Sequence, residues 1–155
     1  MKTLIAYFSY SGNTKKIAEQ LQEKTNGELF RIETVKPYSS DYQTCAYKEA
    51  KQEYEQDIHP AIKKPLPDIA AYDKIIVAFP IWWYTCPKVI LSFFEAYPDW
   101  QKKTVYLFAN SYTDDPKYME TSLKDVKACA NNADIRRGLF NGEIKKLDNW
   151  LAKEF

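Results

Sequence analysis

Short apolar runs alternate with longer amphipathic segments along this chain. Thr3–Phe8 and Lys74–Phe79 are apolar almost throughout, which is typical of strands that are buried on both faces. Elsewhere the apolar residues recur at helical spacing, as Ile17 and Leu21 do in the segment that ends before Gly27. The alternation predicts a parallel sheet covered by helices on both faces, which is a three-layer α/β domain.

The same pattern places each element. Strands are predicted at Thr3–Phe8, Glu28–Val35, Lys74–Phe79, Thr104–Ala109 and Ala133–Phe140. Helices are predicted at Asn13–Asn26, Lys88–Ala96, Tyr118–Ala130 and Gly142–Phe155, and a further helix follows the capping residues Ser40 and Asp41. One face of that further helix carries Tyr42, Cys45, Ala46, Ala50 and Tyr54. The segment Ile58–Pro67 contains three prolines, so we expect it to be a loop.

Length and charge narrow the class of protein. A chain of 155 residues, 45% of them hydrophobic, suits one domain that spans residues 1–155 around one core. The 22 basic and 21 acidic residues nearly balance, so the chain has no electrostatic footprint for nucleic acid or an anionic membrane. The apolar segment Ile75–Tyr84 is too short to span a bilayer and is broken by Pro80. We therefore expect a soluble, cytoplasmic protein.

The thiols and the one imidazole form no recognisable metal motif. Cys45, Cys86 and Cys129 lie far apart in the sequence, and none belongs to a CxxC pair. We expect three reduced, mostly buried thiols. His59 stands beside Pro60 in a polar stretch, which predicts an exposed loop histidine and not a catalytic one. The sequence therefore predicts no metal site.

The first candidate for chemistry is the polar loop that follows the first strand. In open α/β sheets, ligands bind at the carboxyl ends of the strands, and a helix N-terminus favours phosphate. The hydroxyls of Ser9, Ser11 and Thr14 suit phosphate oxygens, Gly12 permits close approach of the backbone, and Asn13 adds an amide. Neither GxGxxG nor GxxxxGK[ST] is present. A simple helix cap is the alternative, but it needs fewer polar groups than this loop contains.

The second candidate is the aromatic segment after the third strand. Pro80, Ile81, Trp82, Trp83 and Tyr84 stand at a strand end where a ligand is expected. Tryptophan offers a large apolar surface, so this segment suits a planar ligand. Packing of the two indoles into the core and under a neighbouring loop is the alternative. Next to a phosphate loop, the aromatic wall predicts a phosphorylated aromatic ligand.

The third candidate is the polar turn after the fourth strand. Asn110, Ser111, Tyr112 and Thr113 can close the other side of a ligand site, although such residues are also ordinary in turns. A single histidine and scattered carboxylates provide no nucleophilic triad and no acid–base pair, so we predict no catalytic side chain. Any chemistry therefore depends on a cofactor.

These segments resemble the flavodoxin family, in particular the short flavodoxin-like proteins of bacteria. Ser9–Thr14 is similar to the family's Ser/Thr-x-Ser/Thr-Gly-Asn-Thr loop, which binds the phosphate of flavin mononucleotide (FMN). Val35–Tyr38, Pro65–Asp68 and Pro80–Trp83 are also similar to that subgroup, and the resemblance covers essentially the full chain. It implies a flavodoxin-like sandwich with the sheet order 2-1-3-4-5 and a ligand at the switch point.

The resemblance also implies a cofactor and a role. Ser9, Ser11, Gly12, Asn13 and Thr14 would bind the FMN phosphate. The segments 80–84 and 110–113 would flank the isoalloxazine ring, whose edge stays open to redox partner proteins. Flavodoxins pass single electrons between such partners, so the protein itself supplies no catalytic side chain.

Two positions depart from the pattern of the relatives. A glycine usually follows the paired tryptophans and allows a peptide to turn toward the flavin, whereas this chain has Tyr84. We expect a tyrosine to resist a backbone conformation with positive φ, or else to stack on the ring. Relatives often have a histidine- and glycine-rich loop where this chain has residues 110–115, so the second wall for the flavin differs.

Three functions are compatible with the sequence. The first is an FMN-binding protein that transfers electrons between redox partners. The second is an FMN-dependent reductase of quinones or similar acceptors that NAD(P)H supplies with electrons. The third is an interaction module of the same fold that has lost its flavin, and the intact phosphate loop argues against it. The sequence leaves the oligomeric state open.

Overall fold

The computed structural model describes residues 1–155 and contains one five-stranded parallel sheet with the order β2-β1-β3-β4-β5. The strands are β1 (Thr3–Tyr7), β2 (Glu28–Arg31), β3 (Lys74–Pro80), β4 (Thr104–Asn110) and β5 (Asp134–Phe140). The α-helices are α1 (Asn13–Thr25), α2 (Tyr42–Thr44), α3 (Lys51–Gln56), α4 (Lys88–Glu95), α5 (Lys117–Cys129) and α6 (Leu147–Glu154). The predicted fold class and strand order are therefore confirmed.

Alternation along the strands divides the core into two layers. Ile5 and Tyr7 of β1 pack with Leu21 of α1 and Leu147 of α6 on one face of the sheet. Leu4 and Ala6 point to the opposite face, where α4 and α5 cover a larger cluster. Because both faces of the central strands are covered, these strands consist almost entirely of buried apolar residues.

The second strand is shorter than the predicted Glu28–Val35. Its only partner, β1, ends at Tyr7, where the chain turns into the polar loop. Beyond Arg31 the segment therefore has no strand to pair with. Thr34 instead forms an antiparallel bridge with Ile62, which lies in the predicted proline-rich loop.

Two helices also differ from the prediction. Asp41 caps α2 through its carboxylate, as expected, but a π-helical segment (Cys45–Ala50) separates α2 from α3. At the C-terminus, Asn141–Lys146 is a 3-10 helix and the α-helix begins only at Leu147. The carboxylate of Glu143 accepts a hydrogen bond from the Phe140 N–H at 2.8 Å, which draws this first turn back onto the end of β5.

No helix combines the length and the apolar character that crossing a bilayer requires.

Candidate functional site

A cleft of about 700 Å³ opens at the carboxyl edge of the sheet. The loops that follow β1, β3, β4 and β5 contribute to it, and the segment 42–50 forms its outer side. This is the edge at which open α/β sheets bind ligands. None of the 20 residues that line the cleft is Asp, Glu, Lys or Arg. Any ligand in the cleft would therefore contact no charged side chain of the protein.

The cleft brings together most of the residues that the sequence predicted. Its lining includes Ser11, Asn13, Pro80, Ile81, Trp82, Trp83, Tyr84, Asn110, Ser111, Tyr112 and Thr113. Ser9, Gly12 and Thr14 belong to the same loop but do not line the cleft. The side chains of Ser9 and Thr14 instead support the loop through hydrogen bonds.

Ser9 and Thr14 fix the shape of the polar loop. The buried Ser9 hydroxyl oxygen accepts hydrogen bonds from the N–H groups of Gly12 and Lys15, each at 3.2 Å. The buried Thr14 hydroxyl donates to Asn110 Oδ1 at 2.7 Å and so ties the first loop to the third. Gly12 has a φ of 100°, which favours glycine at this position. The loop is thus held in place before any ligand binds.

The beginning of α1 presents free main-chain donors. No protein acceptor lies within hydrogen-bonding distance of the N–H groups of Ser11, Asn13 and Thr14. The N-cap residue Gly12 has no side chain, and the Ser9 hydroxyl accepts only from the N–H groups of Gly12 and Lys15. The first N–H groups of a helix lack partners within the helix, and together with the helix dipole they favour an anion. The loop therefore suits a phosphate group.

Trp82 forms a fixed wall of the cleft. Its indole makes edge-to-face contacts with Phe8 and Tyr38, each with ring centroids 5.1 Å apart, and a longer contact of 6.1 Å with Tyr10. Such pairs add to the stabilisation that apolar burial provides. The neighbouring Tyr10 hydroxyl donates to the Ser39 carbonyl at 2.6 Å. Trp82 is therefore held from behind by side chains of several segments.

The next two residues form a strained turn. Trp83 and Tyr84 have φ values of 52° and 75°, and the Trp82 N–H donates to the Thr85 carbonyl across the turn at 2.9 Å. Our expectation that Tyr84 avoids a positive φ is thus wrong, because the turn imposes that conformation. The Trp83 indole N–H donates to the Ala46 carbonyl at 2.8 Å and holds the turn against the π-helical segment. A non-glycine residue with a positive φ lowers the stability of the folded state by about 1–3 kcal/mol, and this turn contains two.

The third loop is held by a residue that the sequence analysis missed. The Ser111 N–H donates to Asn141 Oδ1 at 2.6 Å, and the Asn141 amide donates to Asp114 Oδ1 at 3.3 Å. Asn141 has a φ of 51°, a conformation that asparagine tolerates better than most residues. Tyr112 remains 94% exposed at the rim. The loop is therefore well supported at its base and open at its tip.

Nine lining residues were not predicted as site residues. They are Tyr10, Tyr42, Cys45, Ala46, Tyr47, Ala50, Tyr118, Asn141 and Gly142. The sequence pattern indicated four of them as a group, since it predicts Tyr42, Cys45, Ala46 and Ala50 on one face of a helix. That face points into the cleft.

The titratable groups around the cleft leave its lining neutral. Burial raises the pKa of the Cys45 thiol to about 11 and also raises the pKa of Tyr10, so both groups stay protonated at neutral pH. Behind the wall, the Tyr38 hydroxyl donates to Glu53 Oε1 at 2.7 Å. Burial raises the pKa of Glu53 to about 7, although this hydrogen bond opposes the shift. The site thus contains no side chain that is suited to abstract a proton from a ligand.

The fold and the cleft define a class of protein: a doubly wound α/β protein with a cleft at the carboxyl edge of its sheet. A sequence profile described as Flavodoxin matches residues 2–154. The chain therefore belongs to the flavodoxin family.

Solved structures show the same architecture. A protein from Bacteroides eggerthii that was assigned as a flavoprotein is 29% identical, with a TM-score of 0.81 over 98% of this chain and 96% of its own. Another such protein, from Bacteroides uniformis, is 27% identical, with a TM-score of 0.79 over 97% of each chain. A Lactobacillus acidophilus flavoprotein in complex with FMN is 22% identical, with a TM-score of 0.76 over 97% and 98% of the two chains. Comparison with functionally curated proteins gives no significant match.

Proposed function

We propose that this protein binds FMN and transfers electrons between redox partner proteins. The observation that carries the proposal is the single cleft that joins the free N–H end of the α1 loop, where Ser11 and Asn13 line it, to the Trp82 wall. One end suits a phosphate and the other a planar aromatic ring. Membership of the flavodoxin family supports FMN as the ligand that combines both parts.

The residues present fit the two parts of this cofactor. The N–H groups of Ser11, Asn13 and Thr14 would bind the phosphate, while Ser9 holds the loop that presents them. Trp82 and the loop after β4 would enclose the ring from two sides. When bound, FMN supplies the capacity to accept electrons and pass them on. The side chains orient it and exclude water from one face.

The exposed rim supports transfer to another protein. Tyr84 and Tyr112 are 56% and 94% exposed, and both border the cleft. A planar ligand in this cleft would have its outer edge among these rings. Because no charged side chain lines the cleft, long-range steering of a partner depends on charges outside it.

Competition between FMN and riboflavin tests the proposal. Both flavins carry the ring, but only FMN carries the phosphate. Each hydrogen bond to a charged group contributes about 1.5–3 kcal/mol, so several such bonds predict FMN binding that is at least about 100-fold tighter. Quenching of flavin fluorescence measures both affinities. Equal affinities would overturn phosphate recognition, and no binding of either flavin would leave only the interaction module.

A reductase of neutral acceptors is a second candidate. Its support is the uncharged lining, in which Tyr42, Tyr47 and Tyr118 offer further aromatic surface for a planar acceptor such as a quinone. We expect the FMN-loaded protein to oxidise NAD(P)H rapidly in the presence of a quinone if this function holds. If instead it accepts and donates electrons only with a redox protein, the electron-transfer function holds.

A further inference from the structure

A second group of chemically active side chains lies outside the cleft. His59 follows the end of α3, Glu95 ends α4 and Cys129 ends α5. None of the three lines the cleft. No sequence motif links them, because successive members are separated by more than 30 residues. The packing of α4 beside α5 brings them together.

The geometry of this group differs from the exposed loop histidine that we expected. One nitrogen of His59, one carboxylate oxygen of Glu95 and the Cys129 sulfur all lie within 4.8 Å of one another. His59 Nδ1 is hydrogen-bonded to Glu95 Oε1. The side chain of His59 is only 23% exposed, so the expectation of an exposed residue is wrong.

The other side of the imidazole is also held. His59 Nε2 is 2.8 Å from Asp57 Oδ1, and the same carboxylate oxygen is 2.8 Å from Lys88 Nζ. A histidine that binds a metal commonly donates its second ring N–H to a carboxylate, which fixes the orientation of the ring. Asp57 occupies that position here, and Lys88 fixes Asp57. The Nδ1 atom thus faces Glu95 and Cys129 in a defined orientation.

We propose that His59 Nδ1, a carboxylate oxygen of Glu95 and Cys129 Sγ bind a zinc ion. Imidazole nitrogen, thiolate sulfur and carboxylate oxygen are the donors that zinc takes in proteins. The three donors come from three segments that pack together, and they leave a fourth position for a water molecule. A site with three protein ligands leaves the zinc ion open to a further ligand.

The charge of the group is compatible with this exchange. Without metal, each ring nitrogen of His59 lies beside a carboxylate, which favours a ring with a proton on both nitrogens, and Cys129 is a free thiol. Zinc takes the place of one proton on His59 and the proton on Cys129, and both protons pass to solvent. The positive charge of zinc then balances the Glu95 carboxylate and the new thiolate. The three residues together with zinc have the same net charge as the three residues had before, so no new uncompensated charge arises.

Cobalt titration of the whole chain tests the site. Co²⁺ reports thiolate ligation through a near-ultraviolet charge-transfer band and tetrahedral geometry through visible absorption. We expect one equivalent of Co²⁺ to produce both, and one equivalent of Zn²⁺ to abolish them. An absence of the thiolate band at stoichiometric Co²⁺ would overturn the proposal.

Variants assign the band to these residues. Cys129→Ser should abolish it, and Glu95→Gln, which keeps the size of an exposed side chain, should weaken Co²⁺ binding at least about 10-fold. Glu55→Gln removes an exposed carboxylate that has no partner in the group, so its affinity should equal that of the wild type. A band that persists in Cys129→Ser would assign the thiolate elsewhere and overturn the proposal. Circular dichroism of each variant confirms that the fold is retained.

Discussion

The two ends of the cleft are built in different ways. At the phosphate end, six consecutive residues form the loop, and the one positive φ falls on Gly12. At the ring end, the wall is assembled from distant segments, and two aromatic residues, Trp83 and Tyr84, have positive φ. The first end thus rests mainly on a local motif, which the Thr14–Asn110 hydrogen bond ties to the third loop. The second end depends on tertiary contacts that hold an unfavourable turn. The comparison indicates that a local loop can keep its ability to bind phosphate while the residues that contact the ring vary.

The largest effect is expected at Trp82, because several segments meet on its indole. Trp82→Ala removes contacts with Phe8, Tyr10 and Tyr38 and should lower the free energy of unfolding by about 2–4 kcal/mol. Trp83→Ala, which removes one hydrogen bond to Ala46 and contacts with the exposed rings of Tyr47 and Tyr84, should cost about 1–2 kcal/mol. Urea denaturation measures both values. Equal losses would contradict the assignment of Trp82 as the better supported wall.

The next largest loss of stability is expected at Asn141, which supports the loop after β4. Asn141→Ala removes the acceptor of the Ser111 N–H and places alanine at a φ of 51°, so we expect a loss of about 2 kcal/mol. Asn141→Gly removes the same acceptor but tolerates the backbone and should lose about 1 kcal/mol. The difference between the two variants in thermal denaturation isolates the backbone contribution. Identical losses would mean that the positive φ contributes nothing.

The Glu53 carboxyl, which accepts a hydrogen bond from Tyr38 behind Trp82, should make the stability of the protein depend on pH. The pKa of Glu53 is raised from 4.5 to about 7 by burial, so the folded state binds the proton more tightly than the unfolded state. Its contribution to stability is complete below pH 4.5 and is lost as the pH rises through about 7. Because the carboxyl is only partly buried, we expect a loss of about 1–2 kcal/mol.

Glu53→Gln tests this dependence, because glutamine does not titrate and can still accept the hydrogen bond from Tyr38. Urea denaturation at about pH 5 and about pH 8 should show a smaller loss of stability in the variant than in the wild type. Equal pH dependence in both proteins would show that Glu53 does not carry the effect.

The smallest effect is expected in the strained turn. Tyr84→Gly and Tyr84→Ala both remove the exposed ring, but only alanine keeps the penalty of a positive φ. We expect the glycine variant to be more stable than the alanine variant by about 1 kcal/mol. Differential scanning calorimetry compares them directly. A more stable alanine variant would contradict the assignment of strain to this position.

The contrast between the two ends also explains what could be predicted. The five strands and the polar loop follow from patterns that are local in the sequence, such as the run Thr3–Tyr7 followed by the polar residues 9–14. The strand order is implied only by the resemblance to the flavodoxin family. Asn141 could not be predicted, because its role depends on the register that brings the end of β5 beside the loop after β4. The conformation of Tyr84 was predicted wrongly, because its side chain disfavours a turn that the surrounding contacts impose.

The same reasoning applies to the group around His59. Its members are far apart in the sequence and fit no metal motif, so only the packing of α4 and α5 reveals their proximity. Patterns within one segment predict local sites well. Sites that are assembled from helix ends require the tertiary structure.

The most direct test of the central claim is a residue-specific measurement at the phosphate end. In ¹⁵N–¹H NMR spectra, FMN should shift the amide protons of Ser11, Asn13 and Thr14 downfield, because these N–H groups gain an anionic acceptor. Riboflavin should shift signals of the ring end, such as the Trp82 indole, but leave those three amides nearly unchanged. The same response of the three amides to both flavins, or none to FMN, would contradict phosphate binding at the beginning of α1.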